Sequence, residues 1–382
     1  MRDWKWIDNL PKSWAFLLRV VVKALLLFGL CNLIFAWLYP MQFLGNLSLY
    51  GTLFPARDRL PFYDGNDPSQ SNSISLNNLP ALFASHDVSQ SKPGDEFRVL
   101  LIGDSNTWGW YLDNDETLSA QLNHADLTVN GRDVVFYNLG YPVMSLTKDL
   151  LILDYAMQYD PDMIIWLVSL ASFPPEEQLV PPLVRNNQAR LSPLIEQYNL
   201  NINPEDEAFV QPDFWQRTIV GQRRELADLL RLQTYGIGWS ATGIDQFIPE
   251  NIPLRQSDFE TDYSWSIYPE SVELSENELA FDVLSAGIQI AGDTPIIIVN
   301  EPMFISDGQN SDIRFNSFYP IWAYEQYRDL LSQTSIDNGW QYLDLWDSIA
   351  PQEFTDSPVH LTAHGTEELA NRLINTIFEN EE

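Results

Sequence analysis

From Phe97 onward, short apolar runs alternate with segments of helical period. RVLLI (98–102) is a continuous apolar run ending in Gly, which predicts a buried strand. Glu116 to His124 reads as helix, and DVVFYNLG (133–140) as a second strand. Leu146, Leu150, Leu153 and Met157 repeat at helical spacing between Ser145 and Tyr159. DMIIWLV (162–168) predicts a third strand. A helix from about Asn277 to Ile290, a strand TPIIIVN (294–300), a helix from about Tyr319 to Thr334 and a strand WQYLDL (340–345) follow. Leu369, Ala370, Leu373, Ile374, Ile377 and Phe378 mark one face of a closing helix. This rhythm predicts an α/β fold, a parallel sheet covered by helices, with its chemistry at the carboxyl ends of the strands. The stretch 174–275 breaks the rhythm with PPEE, PPL, a helix near Phe214 to Leu232 and the aromatic run TDYSWSIYP. It predicts an insertion that caps the site.

The first residues follow a different pattern. Residues 14–39 are apolar, and no charge lies between Ala24 and Tyr39. A helix of about 20 residues crosses the ~30 Å hydrocarbon layer, and this one reaches that length if Arg19 and Lys23 snorkel. Arg2, Lys5, Lys12, Arg19 and Lys23 precede or begin the run, against Asp3 and Asp8. Positive residues stay inside. The expectation is a single-pass signal anchor (14–39) with a cytosolic tail (1–13) and everything after it outside. A cleaved signal peptide and an apolar core helix are the alternatives; a small-x-small cleavage site is not evident after Tyr39. Residues 40–96, rich in Ser, Asn, Asp and Pro, read as a juxtamembrane linker, leaving 97–382 as the main domain.

Charge narrows the partners. The 382 residues carry 21 Lys and Arg against 53 Asp and Glu, a net of −32. Without the five basic and two acidic residues of positions 1–39 the balance is 16 against 51. A polyanion repels phosphate backbones, so no nucleic-acid partner is expected. The single Cys31 excludes a disulfide framework and a cysteine-ligated zinc cluster.

Three places could carry chemistry. The first strand ends in Gly103-Asp104-Ser105, and a Ser between strand and helix sits where backbone N–H groups point outward. An ordinary helix cap would look the same. In FTDSPVHLTAHG (354–365), His360 is placed to take the Ser105 proton and Asp356 to hold the other ring nitrogen. The bland alternative is a capping Asp and a surface His. Gly140, at the end of the second strand, offers a closely approaching N–H donor or is simply a turn glycine.

Together GDSNTWG, YNLGYP and DSPVHLT-x-x-G, in this order, resemble the three blocks of the SGNH (GDSL-type) hydrolase family. The resemblance covers about 98–145 and 280–378, with a weaker match at 162–173. It implies a flavodoxin-like three-layer α/β/α sandwich. It also implies ester hydrolysis or O-acyl transfer through a serine acyl-enzyme: Ser105 as nucleophile, His360 as base and then acid, Asp356 as its partner, and the N–H groups of Ser105 and Gly140 as the oxyanion hole. The substrate would be a small-molecule or glycan acyl ester, and no cofactor is needed. Two positions depart from the family. Its third block, G-x-N-D, falls here on Ser169 and Ala171, so a side-chain amide donor is missing; such a donor is worth roughly 3–4 kcal/mol where measured. Ser169, Ser172 and Asn106 are the polar residues left to replace it. Asp356 also lies four residues before His360 instead of three, with Asp344 and Asp347 as fallback partners. The rival from another class is a catalytically silent envelope binding or scaffold protein.

Other constellations are weaker. His360 and His364 stand four apart with Asp356 nearby, but Leu361 breaks the H-E-x-x-H pattern, so no metal site is expected. SDGQNSD (306–312) lacks EF-hand spacing. Asn300 and Glu301 follow a strand on the same rim as Ser105 and are candidates to line the pocket. Trp108, Trp110, Trp265 and Tyr268 could stack on a substrate or pack a core.

Overall fold

The computed structural model describes residues 14–62, 74, 76–245, 248–255, 265, 268, 270–276 and 278–378. The expected cytosolic tail (1–13), most of the polar run 66–78 and most of TDYSWSIYP fall outside them.

The α/β rhythm is realised as one sheet. Its strands are β1 (Glu96–Ile102), β2 (Thr128–Val129), β3 (Arg132–Asn138), β4 (Met163–Val168), β5 (Ile296–Asn300) and β6 (Gln341–Asp344), in the spatial order β2-β3-β1-β4-β5-β6. All neighbours are parallel except the short β2, which pairs antiparallel with β3. The order reverses between β1 and β4, where a doubly wound sheet opens its ligand crevice. Every residue of β1 is buried, as expected of a central strand covered on both faces.

Alternate residues of each strand feed two cores. Leu100, Ile102, Ile164, Trp166 and Ile298 face one side, where the helices Leu146–Ala156 and Phe281–Ala291 pack. Val99, Leu101, Ile165, Leu167 and Val299 face the other, covered by Leu118–Asn123 and Ala363–Ile377. Each cap follows sequence chemistry: Ser145 accepts the Lys148 N–H, and Thr362 accepts the Gly365 N–H.

The N-terminal helix, α1 (Trp14–Leu38), has 25 residues and a mean hydropathy of 2.2, long and apolar enough to cross a membrane. It is exposed along most of its length, with only Asn32 and Ala36 buried.

The linker reading of 40–96 is corrected. Leu60, Leu79, Leu82 and Phe83 are buried in the main core, and Arg57 pairs with Asp245 of the insertion. Polar composition suggested a tether, but its few apolar residues are spaced to reach the core. The cap reading of 174–275 is corrected in part. Leu183, Val184, Leu191 and Ile195 join the sheet core instead of roofing the site. Tyr50 Oη donates to the Leu232 carbonyl and the Leu49 N–H to Gln233, so the helix Arg223–Gln233 lies against the segment that follows α1.

Candidate active site

The site begins where β1 runs out. Gly103 turns the chain tightly: a Cβ there would sit 2.3 Å from Thr107 Oγ1. Asp104 Oδ1 accepts the Asn106 N–H at 2.9 Å and starts the single-turn helix Ser105–Trp108. Ser105 is its first residue, so its N–H has no acceptor within the helix. Lys148, fully buried, braces this turn: its Nζ donates to the carbonyls of Gly103 (2.8 Å) and Tyr141 (2.6 Å) and pairs with Asp149 at 2.7 Å.

The C-terminal turn meets the nucleophile turn across the crevice. His360 Nε2 lies 2.8 Å from Ser105 Oγ, and His360 Nδ1 lies 3.0 Å from Asp356 Oδ1. With Nδ1 protonated toward the carboxylate, Nε2 is the acceptor for the serine proton. The four-residue spacing works because Phe354 and Leu361 bridge, and the Thr355 N–H donates to the His360 carbonyl at 2.9 Å. Asp356 and His360 are thereby returned to one side of a tight hairpin. Burial pushes the Asp356 carboxyl up, but the hydrogen bond and charge of His360, with the Thr355 hydroxyl, hold it below its ordinary 3.8. Arg255, from the insertion, fixes the same turn: its Nε and Nη2 donate to the Asp356 carbonyl at 3.2 and 2.9 Å.

Ser105 and His360 open into a cavity of about 330 Å³ bounded by Val143, Met144, Ala171 and Phe318, with Glu177, Ser357 and Val359. Val143 holds φ at 78°, a left-handed conformation that a β-branched residue adopts only under constraint. A buried-enough serine, a base and an orienting carboxylate in one hydrogen-bonded line can generate a nucleophile and recycle its proton.

The remaining candidates are placed elsewhere. Gly140 sits where no side chain fits, since a Cβ would lie 2.4 Å from Trp108 N, but its N–H donates to Asn138 Oδ1 at 3.1 Å. Asn106, Ser169, Ser172, Asn300 and Glu301 do not border the cavity. Asn106 Nδ2 donates to Glu301 Oε2 at 3.2 Å. Ser169 accepts from Tyr319 Oη at 3.2 Å. Ser172 is buried. Asn300 donates to Asp344 at 2.8 Å and accepts from Tyr324 and Tyr327. The rim reading of Asn300 and Glu301 is therefore corrected: both are buried beneath the site. Burial, then the Asp104 carboxylate, push the Glu301 carboxyl well above its ordinary 4.5. Asp344 is committed to Asn300 and Arg328 and is no partner for His360.

His364 is exposed and faces Glu367 and Glu368, away from the relay. Among the described residues, no three His, Cys, Asp or Glu side chains are arranged to hold a metal ion. Lys148, Val143, Met144, Phe318 and Arg255 escaped the sequence reading. A lone lysine in an apolar helix face was the one signal that pointed toward Lys148; the others come together only through the fold.

No family model and no curated protein matches the chain. Solved structures similar to it include a member of the lipolytic protein G-D-S-L family from Veillonella parvula, at 10% identity and a TM-score of 0.35, covering 74% of this chain and 98% of that one. A carbohydrate acetylesterase family member from Sinorhizobium meliloti is similar at 13% identity and a TM-score of 0.32, over 73% and 96% of the two chains. The aryl esterase of M. smegmatis is similar at 11% identity and 0.34, over 74% and 98%. At this level of likeness the fold rests on its own strand order and the site on its own geometry.

Proposed function

We propose that this chain is a membrane-anchored, outward-facing serine esterase or O-acyltransferase of SGNH type, built on a flavodoxin-like α/β/α sandwich. The observation that carries the reading is the continuous relay from Ser105 Oγ through His360 to Asp356, opening into the cavity. Ser105 Oγ attacks an acyl carbonyl as His360 Nε2 takes its proton. Asp356 stabilises the imidazolium, which then protonates the departing alcohol. Water, or a sugar hydroxyl of an envelope glycan, attacks the acyl-enzyme, and His360 serves as base again. The Ser105 N–H is the first oxyanion donor. The Gly140 N–H joins it on turning from Asn138. A cavity of about 330 Å³ is at the small end for ligand sites, which favours a short acyl group. The positive residues before α1 support an N-terminus in the cytosol.

The test is fluorophosphonate labelling of the full chain in mild detergent, beside Ser105→Ala and His360→Ala. Labelling of the wild type, lost in both folded variants, is expected. A second reading, a silent binding protein, is favoured by Ala171, which borders the cavity with no side-chain donor, and by the engaged Gly140 N–H. A folded wild type that neither labels nor cleaves a small aryl acetate would establish that reading instead.

A further inference from the structure

Asn32 is a polar residue inside the uncharged stretch 24–38 of α1, and the insertion satisfies its side-chain oxygen. Its Oδ1 accepts the Val220 N–H at 3.2 Å, and its Nδ2 donates to the Phe28 carbonyl at 2.9 Å. Unpaired in hydrocarbon, such an amide would be costly. Between this part of α1 and residues Asp213–Arg223 lies an apolar groove of about 700 Å³, lined by Phe28, Leu33, Trp215 and Val220 with Arg223 among its polar members. At 1.5 Å per residue, Asn32 stands about 9 Å and Phe28 about 15 Å from the Leu38 end of the helix. With α1 across a bilayer, the groove therefore reaches from the outer interface toward the middle of the hydrocarbon.

The same segment exposes Phe214, Trp215 and Val220, with Trp215 at 71%, and the helix that follows exposes Leu230. Large aromatics exposed beside a span are characteristic of the membrane interface. Positive charge also concentrates here in a chain of net −32: Arg217, Arg223, Arg224 and Arg231 lie within 213–235, against Asp213, Glu225 and Asp228. Apolar residues flanked by arginines form the pattern of an interfacial element that meets lipid phosphate.

We propose that residues 213–224 are a lipid-binding wedge that docks on the outer half of α1, with a phospholipid acyl chain in the groove and Arg223 at its phosphate. This rests on the reading of α1 as a retained anchor and gives the insertion a purpose separate from the catalytic cavity.

The test uses the full chain with Cys31→Ser and one new cysteine, Trp215→Cys, carrying an environment-sensitive fluorophore. It is reconstituted in vesicles of equal parts phosphatidylcholine and phosphatidylglycerol. Wild-type Cys31, labelled in the same way, reports on α1, and Asp337→Cys reports on the exposed surface of the main domain. Several-fold quenching by nitroxide-bearing lipids at position 215, shielding from iodide there, and the reverse at 337 are expected. Asn32→Leu should raise iodide access at 215 several-fold. If position 215 is open to iodide while Cys31 is quenched by lipid, the wedge is refuted and the anchor stands. If Cys31 is itself open to iodide, the anchor falls and the wedge with it.

Discussion

Trp110 lies against the imidazole of His360, ring centroids 5.6 Å apart and planes 23° from parallel. An aromatic wall of this kind restricts the ring to the plane in which Nε2 faces Ser105 and Nδ1 faces Asp356. Such a contact is worth about 0.5–1.5 kcal/mol. Trp110→Ala should slow fluorophosphonate labelling by roughly tenfold, equivalent to about 1.4 kcal/mol, while Trp110→Phe keeps most of the rate. Equal labelling rates for wild type and Trp110→Ala would remove the indole from the relay.

Asp356→Asn should cut the labelling and esterase rates by roughly 10²–10⁴-fold, because it destabilises both the required tautomer and the imidazolium. The stability signature has a definite sign. The folded carboxyl titrates below its ordinary 3.8, so its contribution is present above that value and is lost as pH falls through the lower folded value. The stability gap between wild type and Asp356→Asn should be flat above about pH 5 and close in stronger acid. Chemical denaturation over that range reads it directly.

Ala171, at the position where the family resemblance expects a side-chain amide, borders the cavity. Ala171→Asn supplies the missing donor. If the proposed oxyanion hole lacks a donor, kcat on a small aryl ester should rise by about one to two orders of magnitude. An unchanged kcat in a folded, labelling-competent variant would show that the donors already present suffice.

Glu301 is buried beneath the nucleophile turn and titrates well above 4.5. A carboxyl raised in the folded state is favoured in its protonated form. Stability is then lost as pH rises from the unfolded value toward the folded one. Glu301→Gln keeps an amide in the same space and should abolish that loss, raising Tm at pH 8 more than at pH 5. A difference between variants that does not change with pH would show that Glu301 carries no proton there.

The central strands were readable because β1, β4 and β5 are buried on both faces, and continuous apolar runs such as Val99 to Ile102 have no surface reading. Ser105, His360 and Asp356 were readable because their chemistry needs those residue types beside a strand end and before a helix, and the structure does bring them into contact. Asn300 and Glu301 were misplaced by reasoning from strand ends alone. The Glu301 N–H still bonds the Val168 carbonyl, so the chain continues along the sheet past the expected rim and its side chain stays inside. The placement of Arg255 on the Asp356 carbonyl, or of Val220 on Asn32, joins residues about a hundred or more positions apart. No local periodicity encodes such pairings.

The packing of residues 39–62 sets the reach of the Ser105 site. A free chain of that length would let the α/β head wander over roughly 25–30 Å. Here Tyr50, Arg57 and Leu60 are clamped into the folded body instead. With α1 in a bilayer, Ser105 works at a set altitude and bearing above the lipid surface. Substrates must come to that height, and lengthening α1 by a turn would lift the whole head by about 5.4 Å without altering its chemistry.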